Sequence, residues 1–267
     1  MLKTRVMTAA LMVAVLVGLL CYASSLQLIG AFTLVSLMGA WEWARLAQFA
    51  SRWSRVAYVL ALSVGAAVCY VLSTQSGGLL VLLILAALSW LAAALWLLLY
   101  ADRLGVTAVR WLGAAVLVPA WLGFVALVSR SEPAVALLTW FFCLVAAADI
   151  GAYFAGRFLG RHRLAPSISP GKTWEGVAGG TVSGLWVAAL GGQWLHIAPS
   201  CYLPVGVAVV WVSVIGDLLE SRVKRFAGVK DSGVCLPGHG GVLDRLDSIT
   251  AAVPFFVLGM MLCGRVT

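Results

Sequence analysis

The chain has 267 residues, of which 63% are hydrophobic and only 10% are charged, and its mean hydropathy is +1.03. Soluble domains are about 45 to 50% apolar, so this composition excludes a soluble globular protein and indicates an integral membrane protein. The formal net charge of +8 would suggest a nucleic-acid partner in a soluble protein. In a membrane protein, however, the positions of the basic residues indicate which loops face the cytoplasm. No nucleic-acid partner is therefore predicted.

Nine apolar segments follow one another along the chain, each approaching the about 20 residues that a membrane-spanning helix needs. They are predicted at residues 7–23, 26–44, 56–73, 79–100, 111–128, 134–155, 177–194, 203–219 and 249–264. We therefore expect an all-α fold, a polytopic integral membrane protein with about nine transmembrane helices. The first segment follows Lys3 and Arg5 as a signal peptide would, but Tyr22 to Ser24 make a poor cleavage site, which favours an uncleaved helix.

The distribution of lysine and arginine predicts how these helices are oriented. If the amino terminus is cytoplasmic, 16 of the 18 basic residues, including Arg103, fall on the cytoplasmic side, and only Arg130 and Arg265 fall outside. Short cytoplasmic loops carry such an excess of positive charge. We expect a cytoplasmic amino terminus and a carboxyl terminus on the outer side, with both polar, motif-rich loops facing the cytoplasm.

The chain divides into two parts by composition. Residues 1–130 are predicted to be amino-terminal transmembrane helices that act as a lipid-facing scaffold, and residues 131–267 to be transmembrane helices with cytoplasmic catalytic loops. In the first part, Glu42 stands between two tryptophans and is interpreted as an interfacial anchor rather than a catalyst. The six cysteines show no C-x-x-C spacing and are interpreted as small core residues, not as disulfides or zinc ligands.

The first polar constellation follows the sixth apolar segment, at residues 149–157 and 167–176. Asp149 lies in apolar sequence near a helix end, so it should face a polar cavity or a basic partner. Downstream, Pro170 and Gly171 are predicted to form a break before a new helix, with Ser169, Lys172 and Thr173 as anion donors near its positive terminus. The stretch is not a P-loop, because no G-x-x-x-x-G-K-S/T precedes the helix.

The second and denser constellation links the eighth and ninth segments. Asp217 and Glu220 are three residues apart where one helix ends, and Asp244 and Asp247 are three apart where the next begins, so each pair shares a helical face. If the loop folds back, these acids can converge on a hard cation such as Mg²⁺. Alternatively, Asp247 caps a helix and Asp244 pairs with a base of the loop.

Basic residues are interleaved with these acids. Lys224, Arg225, Lys230 and Arg245 supply the positive charge that phosphoryl or nucleotidyl transfer requires. Alternatively, these basic residues only attract the anionic lipids of the cytoplasmic leaflet and have no role in a reaction. The glycines between residues 237 and 241 would let backbone amides approach a phosphate, and His239 could be a base, a phosphate donor or a structural residue.

These motifs resemble those of the bacterial phosphatidate cytidylyltransferase (CDP-diacylglycerol synthase) family. The family signature is S-x-x-K-R, four residues, K-D, and then P-x-H-G-G-x-x-D-R-x-D. Every fixed position is occupied here, by Ser221, Lys224, Arg225, Lys230, Asp231, Pro237, His239, Gly240, Gly241, Asp244, Arg245 and Asp247. The upstream elements D-x-x-A-Y and S-P-x-K-T-x-E-G also match, at Asp149, Ala152, Tyr153, Ser169, Pro170, Lys172, Thr173, Glu175 and Gly176. One departure is Ile150, where relatives often carry a hydroxyl residue.

The resemblance implies the reaction of CTP with phosphatidic acid to give CDP-diacylglycerol and pyrophosphate. It implies Mg²⁺, alone or with a second cation, and is compatible with a homodimer in the bilayer. The expected metal ligands are Asp217, Asp244 and Asp247. The expected catalytic residues are these three with Lys230, Asp231, His239 and Arg245. The expected substrate-binding residues are Asp149, Tyr153, Ser169, Lys172, Thr173, Ser221, Lys224, Arg225, Gly240 and Gly241.

Two other functions fit parts of the pattern. A CTP-dependent polyprenol kinase would use similar cations but would transfer the γ-phosphate to an alcohol. A transporter of phosphorylated anions would require inverted repeats and polar residues near the membrane midplane, and the sequence displays neither. The kinase is therefore the stronger alternative.

Overall fold

A computed structural model describes residues 2–100 and 104–267, and over these residues the chain forms nine α-helices and one β-hairpin. The helices are α1 (Leu2–Tyr22), α2 (Ser25–Leu46), α3 (Arg52–Ser73), α4 (Gly78–Tyr100), α5 (Val106–Arg130), α6 (Ala134–Phe158), α7 (Trp174–Trp194), α8 (Pro199–Phe226) and α9 (Asp247–Leu262). Each of the nine predicted apolar segments coincides, in order, with one helix. The helical prediction is confirmed because segment length and apolarity dictate helices in a bilayer, where backbone groups must bond within their own segment.

Within residues 2–100 and 104–267, five helices are long and apolar enough to cross a membrane by themselves. They are Arg52–Ser73, Gly78–Leu97, Val106–Arg130, Ala134–Phe158 and Pro199–Phe226. Two shorter apolar helices, Val6–Tyr22 and Asp247–Leu262, accompany them. The membrane class is thereby confirmed, whereas the number of nine crossings stays a prediction. Arg103, one of the basic residues used to predict topology, lies outside the described residues.

One short β-hairpin, which the sequence did not predict, lies between α6 and α7. Strands β1 (Arg163–Ala165) and β2 (Ser169–Thr173) pair antiparallel, with Ala165 opposite Ser169. The predicted break at Pro170 therefore lies inside β2, and the turn is at residues 166–168. Proline is tolerated there because an edge strand does not need every backbone N–H. The predicted helix start is confirmed, since the Thr173 side chain accepts a bond of 3.1 Å from the Gly176 amide at the beginning of α7.

Helices α6 and α7 pack unusually closely, through glycine. A Cβ added to Gly180 would lie only 2.8 Å from the Ala148 carbonyl oxygen. Only a residue without a side chain permits this approach of two backbones. The contact fixes the carboxyl-terminal half of α6, which carries Asp149 and Tyr153, against the start of α7 and the hairpin that precedes it.

Helices α8 and α9 form the second close pair. A Cβ on Gly216 would lie 2.6 Å from the Ala251 Cβ, so the end of α8 runs directly beside the beginning of α9. At their opposite ends Cys201 and Cys263 form a disulfide, with Cα atoms 6.0 Å apart. This corrects the interpretation of these two cysteines as unpaired core residues. They are 62 residues apart, and only the antiparallel return of the chain brings them together.

The interpretation of Glu42 as an interfacial anchor is also wrong. The side chain of Glu42 is only 1% exposed, and the neighbouring Trp43 is buried, with its indole nitrogen donating a bond of 2.8 Å to the Val109 carbonyl. Helix α2 packs against α5 and against the 3₁₀ turn Leu243–Arg245 that precedes α9. The acid lies in the interior because its helix is held there by neighbours on several sides.

Candidate active site

One cavity of about 700 Å³ lies at the end of the bundle where α8 ends and α9 begins. Its wall is built from α6, the hairpin, α7, α8, the 3₁₀ turn and α9, so both polar constellations of the sequence reach it. The predicted site residues that line it are Asp149, Tyr153, Lys172, Thr173, Asp217, Asp244, Arg245 and Asp247. Regions of the chain almost 100 residues apart are thus joined in a single polar site.

An ion pair crosses the cavity between the hairpin and α8. The Lys172 ammonium lies 2.7 Å from Asp217 Oδ2 and donates a second bond, of 3.3 Å, to the Val214 carbonyl. The side chains are 22% and 34% exposed, so both groups remain accessible from the cavity. An ammonium in this position can exchange its carboxylate partner for a phosphate oxygen.

Three carboxylates make one wall of the cavity acidic. Asp149 and Asp247 each lie close enough to Asp217 for their negative charges to repel. The Ser248 amide donates a bond of 2.8 Å to Asp247, and the Ser248 hydroxyl lies 3.5 Å from Asp149. Among the described residues Asp217 pairs with Lys172, whereas no ion pair reaches Asp149 or Asp247, so this wall has more acidic than basic groups in contact with it. Such a wall attracts a cation.

Asp244 is held by four donors. Its Oδ1 accepts a bond of 2.7 Å from Lys224, and its Oδ2 accepts bonds from the Ser232 amide (2.8 Å), the Ser232 hydroxyl (3.0 Å) and the Gly241 amide (2.8 Å). Burial raises the pKa of Asp244, but the bonds from Lys224 and from the two amides outweigh it and leave the pKa below its ordinary value. Asp244 is therefore a fixed carboxylate that orders the loop around it.

Lys224 occupies a buried position between two acids. Its ammonium lies 3.1 Å from Glu220 Oε1 and 2.7 Å from Asp244 Oδ1, and all three side chains are largely buried. The structure does not bring Lys224 to the cavity wall, although the sequence predicts it as a phosphate donor. Its charge is used within the protein, to compensate two carboxylates that would otherwise be buried without a cation.

Several other predicted site residues also lie outside the cavity wall. These are Ser169, Ser221, Arg225, Lys230, Asp231, His239, Gly240 and Gly241. Two of them contact residues of the wall. Ser221 donates a bond of 3.2 Å to Asp217, and the His239 carbonyl accepts a bond of 3.2 Å from Arg245. Within the described chain, His239 Nδ1 is buried without a hydrogen-bond partner.

Gly240 has a conformational role. Its φ is +84°, in the left-handed region, and a Cβ there would lie 2.6 Å from Asp244 Oδ2. Glycine is needed because the loop wraps tightly around this carboxylate. The amide of the next residue, Gly241, is then turned toward Asp244, whereas the sequence suggested that this loop cradles a phosphate.

The structure adds four charged or hydroxyl side chains to the cavity that the predicted site did not include: Arg157, Arg163, Ser213 and Ser248. Ser213 could have been found from sequence, since it is four residues before Asp217 and shares its helical face. Arg163 could not, because it reaches the cavity through the unpredicted hairpin, where its guanidinium donates a bond of 2.5 Å to the Pro170 carbonyl.

Glu175 anchors the chain where α6 leads into the hairpin. Its carboxylate lies 2.6 Å from His162 Nδ1 and accepts bonds from the Arg161 amide (3.1 Å) and the His162 amide (3.2 Å). The contact with His162, supported by these amides, lowers the pKa of Glu175 to about 2. Glu175 thus orients the hairpin that presents Lys172, without lining the cavity itself.

The acidic wall has the donor chemistry of a magnesium site. Mg²⁺ prefers oxygen ligands and commonly takes one or two carboxylates, with waters and substrate phosphates completing its shell. Asp217 and Asp247 can supply those two carboxylates. The Asp217 oxygens contact Lys172 and Ser221, but the Asp217 side chain is 34% exposed and can exchange these partners for a cation. The Asp244 side chain is only 6% exposed and is held by four donors. In the described part of the chain no three acidic, histidine or cysteine side chains form a ready cluster around one ion, so phosphate oxygens would have to contribute.

Comparison with known proteins agrees with the resemblance in the motifs. The sequence profile of the Cytidylyltransferase family matches residues 3–263. The phosphatidate cytidylyltransferase of Pseudomonas aeruginosa is 42% identical over 266 residues, which cover 96% of each chain. That of Haemophilus influenzae is 36% identical over 292 residues, covering 96% of this chain and 97% of its own. That of Brucella suis is 48% identical over 127 residues, 45% of each chain.

Proposed function

The chain belongs to the cytidylyltransferase family, and we propose that it transfers CMP from CTP to phosphatidic acid, giving CDP-diacylglycerol and pyrophosphate in phospholipid biosynthesis. The observation that carries this proposal is the cavity in which Lys172, Asp217, Asp247 and Arg245 meet. Basic groups and carboxylates in one site are what a reaction between two phosphate anions requires. The similarity to relatives named for this reaction extends over 96% of the chain.

The reaction needs little covalent help from the protein. A phosphate oxygen of phosphatidic acid attacks the α-phosphorus of CTP, a new P–O bond forms, and the bond from the α-phosphorus to the bridging oxygen breaks to release pyrophosphate. A phosphate monoester has a second pKa of about 6, so the attacking oxygen is already deprotonated near neutral pH. The protein must therefore hold two anions together in line, which is a task of position and charge.

The basic side chains of the cavity are proposed to hold the phosphates. Lys172 and Arg163 belong to the hairpin, Arg157 to the end of α6, and Arg245 to the 3₁₀ turn. A cavity of about 700 Å³ is in the usual range for small-molecule sites, about 300 to 1,000 Å³. The acyl chains of the lipid would stay in the bilayer while CTP enters from water.

Mg²⁺ is proposed to bind against the acidic wall, on Asp217 and Asp247. When bound, it would offset the repulsion between the substrates and stabilise the departing pyrophosphate. Asp149 contributes charge from the facing helix. Direct coordination by Asp244, as the sequence predicts, would require displacement of one of its present donors, so its proposed contribution is to order the loop. A second cation stays a prediction.

The site is proposed to face the cytoplasm of a bacterial inner membrane. The Thr8 hydroxyl of α1 donates a bond of 3.0 Å to the Pro237 carbonyl, so the amino-terminal end lies beside the catalytic loop. The carboxyl terminus lies at the other end of the helix bundle, where the Thr267 amide donates a hydrogen bond to the Arg130 carbonyl. The disulfide also lies at that end, and disulfides persist in an oxidising compartment such as the periplasm.

One assay tests the function against its alternatives. Purified protein is incubated with CTP labelled at the α-phosphate, phosphatidic acid and Mg²⁺. We expect the label to enter a lipid and pyrophosphate to be released. A polyprenol kinase would leave the label in water-soluble CDP, and a transporter would move nucleotide into liposomes without conversion. Either of those results would overturn the proposal. A homodimer stays a prediction, to be measured by the mass of the protein in detergent.

A further inference from the structure

The buried acid of α2 contacts the catalytic loop almost 200 residues away. Glu42 Oε1 accepts a bond of 3.0 Å from the Val242 amide, and Oε2 accepts bonds from the Leu243 amide (2.9 Å) and the Ser232 hydroxyl (2.8 Å). The two amides are the first free donors of the 3₁₀ turn Leu243–Arg245. The carboxylate therefore caps, from a distant helix, the turn that presents Asp244 and Arg245 to the cavity.

A single hydroxyl joins Glu42 to Asp244. Ser232 Oγ lies 2.8 Å from Glu42 Oε2 and 3.0 Å from Asp244 Oδ2. Because a hydroxyl has one proton, it can donate to only one of the two carboxylates at a time. Asp244 keeps the Ser232 and Gly241 amides as further donors, and Glu42 keeps its own two amides. The positions of the two acids are thus coupled through one side chain.

The burial of Glu42 is costly unless its bonds are made. Its side chain is 1% exposed, and among the described residues no lysine, arginine or histidine forms an ion pair with it. A buried carboxylate without a cation depends on its hydrogen-bond donors. An acid used only for packing would be replaced more cheaply by an apolar residue, so its presence here points to the donors it holds.

Two glycines make room for this contact. A Cβ on Gly233 would lie 2.7 Å from Glu42 Cδ, and a Cβ on Gly241 would lie 2.6 Å from Glu42 Oε1. Both approaches are closer than any side chain could tolerate. The glycine-rich loop therefore closes around Glu42 as well as around Asp244.

We propose that Glu42 is a positioning residue of the reaction, which holds the 3₁₀ turn so that Asp244 and Arg245 face the cavity. It acts through the loop and does not touch substrate. This inference rests on the proposed function, because it assigns a role relative to the proposed site.

The decisive variant is Glu42→Gln. The carboxamide of glutamine has the same shape as the carboxylate of glutamate. However, an NH₂ group replaces one of the two oxygens, and it must face the backbone N–H of Val242 or Leu243. One bond is lost and two donors are brought together. We expect kcat to fall about 10- to 100-fold. The KM for CTP should rise by a smaller factor than kcat falls, because of the proposed phosphate-binding groups only Arg245 lies on the turn, whereas Lys172 and Arg163 lie on the hairpin, which Glu42 does not touch.

A second variant and a matched control separate positioning from folding. Ser232→Ala removes the bridging hydroxyl and leaves both amides on Glu42, so we expect a smaller loss of kcat, about three- to tenfold. The double variant should lose less than the product of the two, because both changes break the same bridge. Glu132→Gln, an exposed acid at the opposite end of the bundle, makes the same chemical change and should leave kcat unaltered.

The measurements are kcat, KM for CTP and thermal unfolding of each purified variant in detergent. A normal kcat in Glu42→Gln overturns the inference, and so does a lowered melting temperature with unchanged turnover per folded enzyme. If Glu42→Gln does not fold, a normal kcat in Ser232→Ala overturns it instead. Loss of activity in Asp244→Asn together with full activity in Glu42→Gln would contradict only the role of Glu42. Full activity in Asp244→Asn would contradict the site itself.

Discussion

Two lysine–aspartate pairs of equal length serve opposite purposes in this protein. Lys172 lies 2.7 Å from Asp217 and Lys224 lies 2.7 Å from Asp244. The first pair is partly exposed in the cavity, whereas the side chains of the second are only 11% and 6% exposed and share their site with Glu220. The exposed pair is weak, about 0 to 1 kcal/mol, so phosphate or a cation can separate it. The buried pair is fixed, since removing one partner leaves a charge that cannot be solvated.

The comparison indicates which charges are available to substrate. Both lysines belong to the signature motifs, and the chain alone does not distinguish them. Burial does, because a phosphate can replace a carboxylate only where both partners reach the cavity. The motif therefore combines residues proposed to bind phosphate with residues proposed to hold the site together.

The largest effect is expected from the acidic wall. Asp247→Asn should lower turnover more than about 1,000-fold, because it removes a carboxylate proposed to bind Mg²⁺. The protein should remain inserted and folded. Activity is measured over a range of Mg²⁺ concentrations, with Glu132→Gln as the control. Near-normal activity at limiting Mg²⁺ would remove Asp247 from the metal site.

Asp244→Asn should also abolish turnover, but for a different reason. The amide cannot accept bonds from Lys224 and from the loop amides together, so the loop loses its order. We expect excess Mg²⁺ to restore no activity in this variant, whereas it partly restores Asp217→Asn. If excess Mg²⁺ does restore activity to Asp244→Asn, then Asp244 is a direct ligand.

Substitution of the buried lysine should act first on stability. Lys224→Met leaves Glu220 and Asp244 buried together without a cation, and we expect a loss of about 3 to 5 kcal/mol in the free energy of unfolding. Thermal or denaturant unfolding in detergent measures it. Unchanged stability would show that the cluster is hydrated, and the contrast between the two pairs would fail.

Substitution of the exposed lysine should do the reverse. Lys172→Met should change stability by less than about 1 kcal/mol, because the pair with Asp217 is partly solvated. The kcat/KM for CTP should fall about 30- to 100-fold, because a phosphate donor is lost. Unfolding and steady-state kinetics are measured side by side with Lys224→Met. Equal losses of stability in the two variants would contradict the distinction.

The smallest effect is expected at the hairpin anchor. The pKa of Glu175 is lowered to about 2, so its contribution to hairpin order is complete above its ordinary pKa and is lost as pH falls toward 2. Glu175→Gln should make the chain near Arg161 more accessible to trypsin at neutral pH, with a modest rise in the KM for CTP. Identical cleavage rates in variant and wild type would show that the hairpin is held by other contacts.

Much of the fold could be predicted because it depends on local chemistry. Apolar segments of the right length form helices in a bilayer. Thr173 caps α7 because its side chain accepts a hydrogen bond from the amide of Gly176, three residues later. The hairpin was not predicted because its strands are only 3 and 5 residues long and one of them contains Pro170. The pairing of Cys201 with Cys263 was not predicted because no local spacing encodes a contact across 62 residues.

The candidate site was predictable in content but not in arrangement. Motif spacing indicated which acids and bases lie near the catalytic end, and the structure does bring Asp149, Lys172, Asp217 and Asp247 to one cavity. Spacing could not indicate that Lys224 faces inward, since helical periodicity assigns a face but not what covers it.

By itself, the sequence determined the membrane class, the order of the helices and the chemical inventory of the site, because apolar length and motif composition are properties of neighbouring residues. The tertiary structure decided which charges face the cavity, which pairs are buried, and that Glu42 of α2 caps the loop bearing Asp244. Those outcomes depend on close helix contacts at glycines and on bonds such as that between Glu42 and Leu243, which are 201 positions apart. Such contacts exist only once the chain has packed.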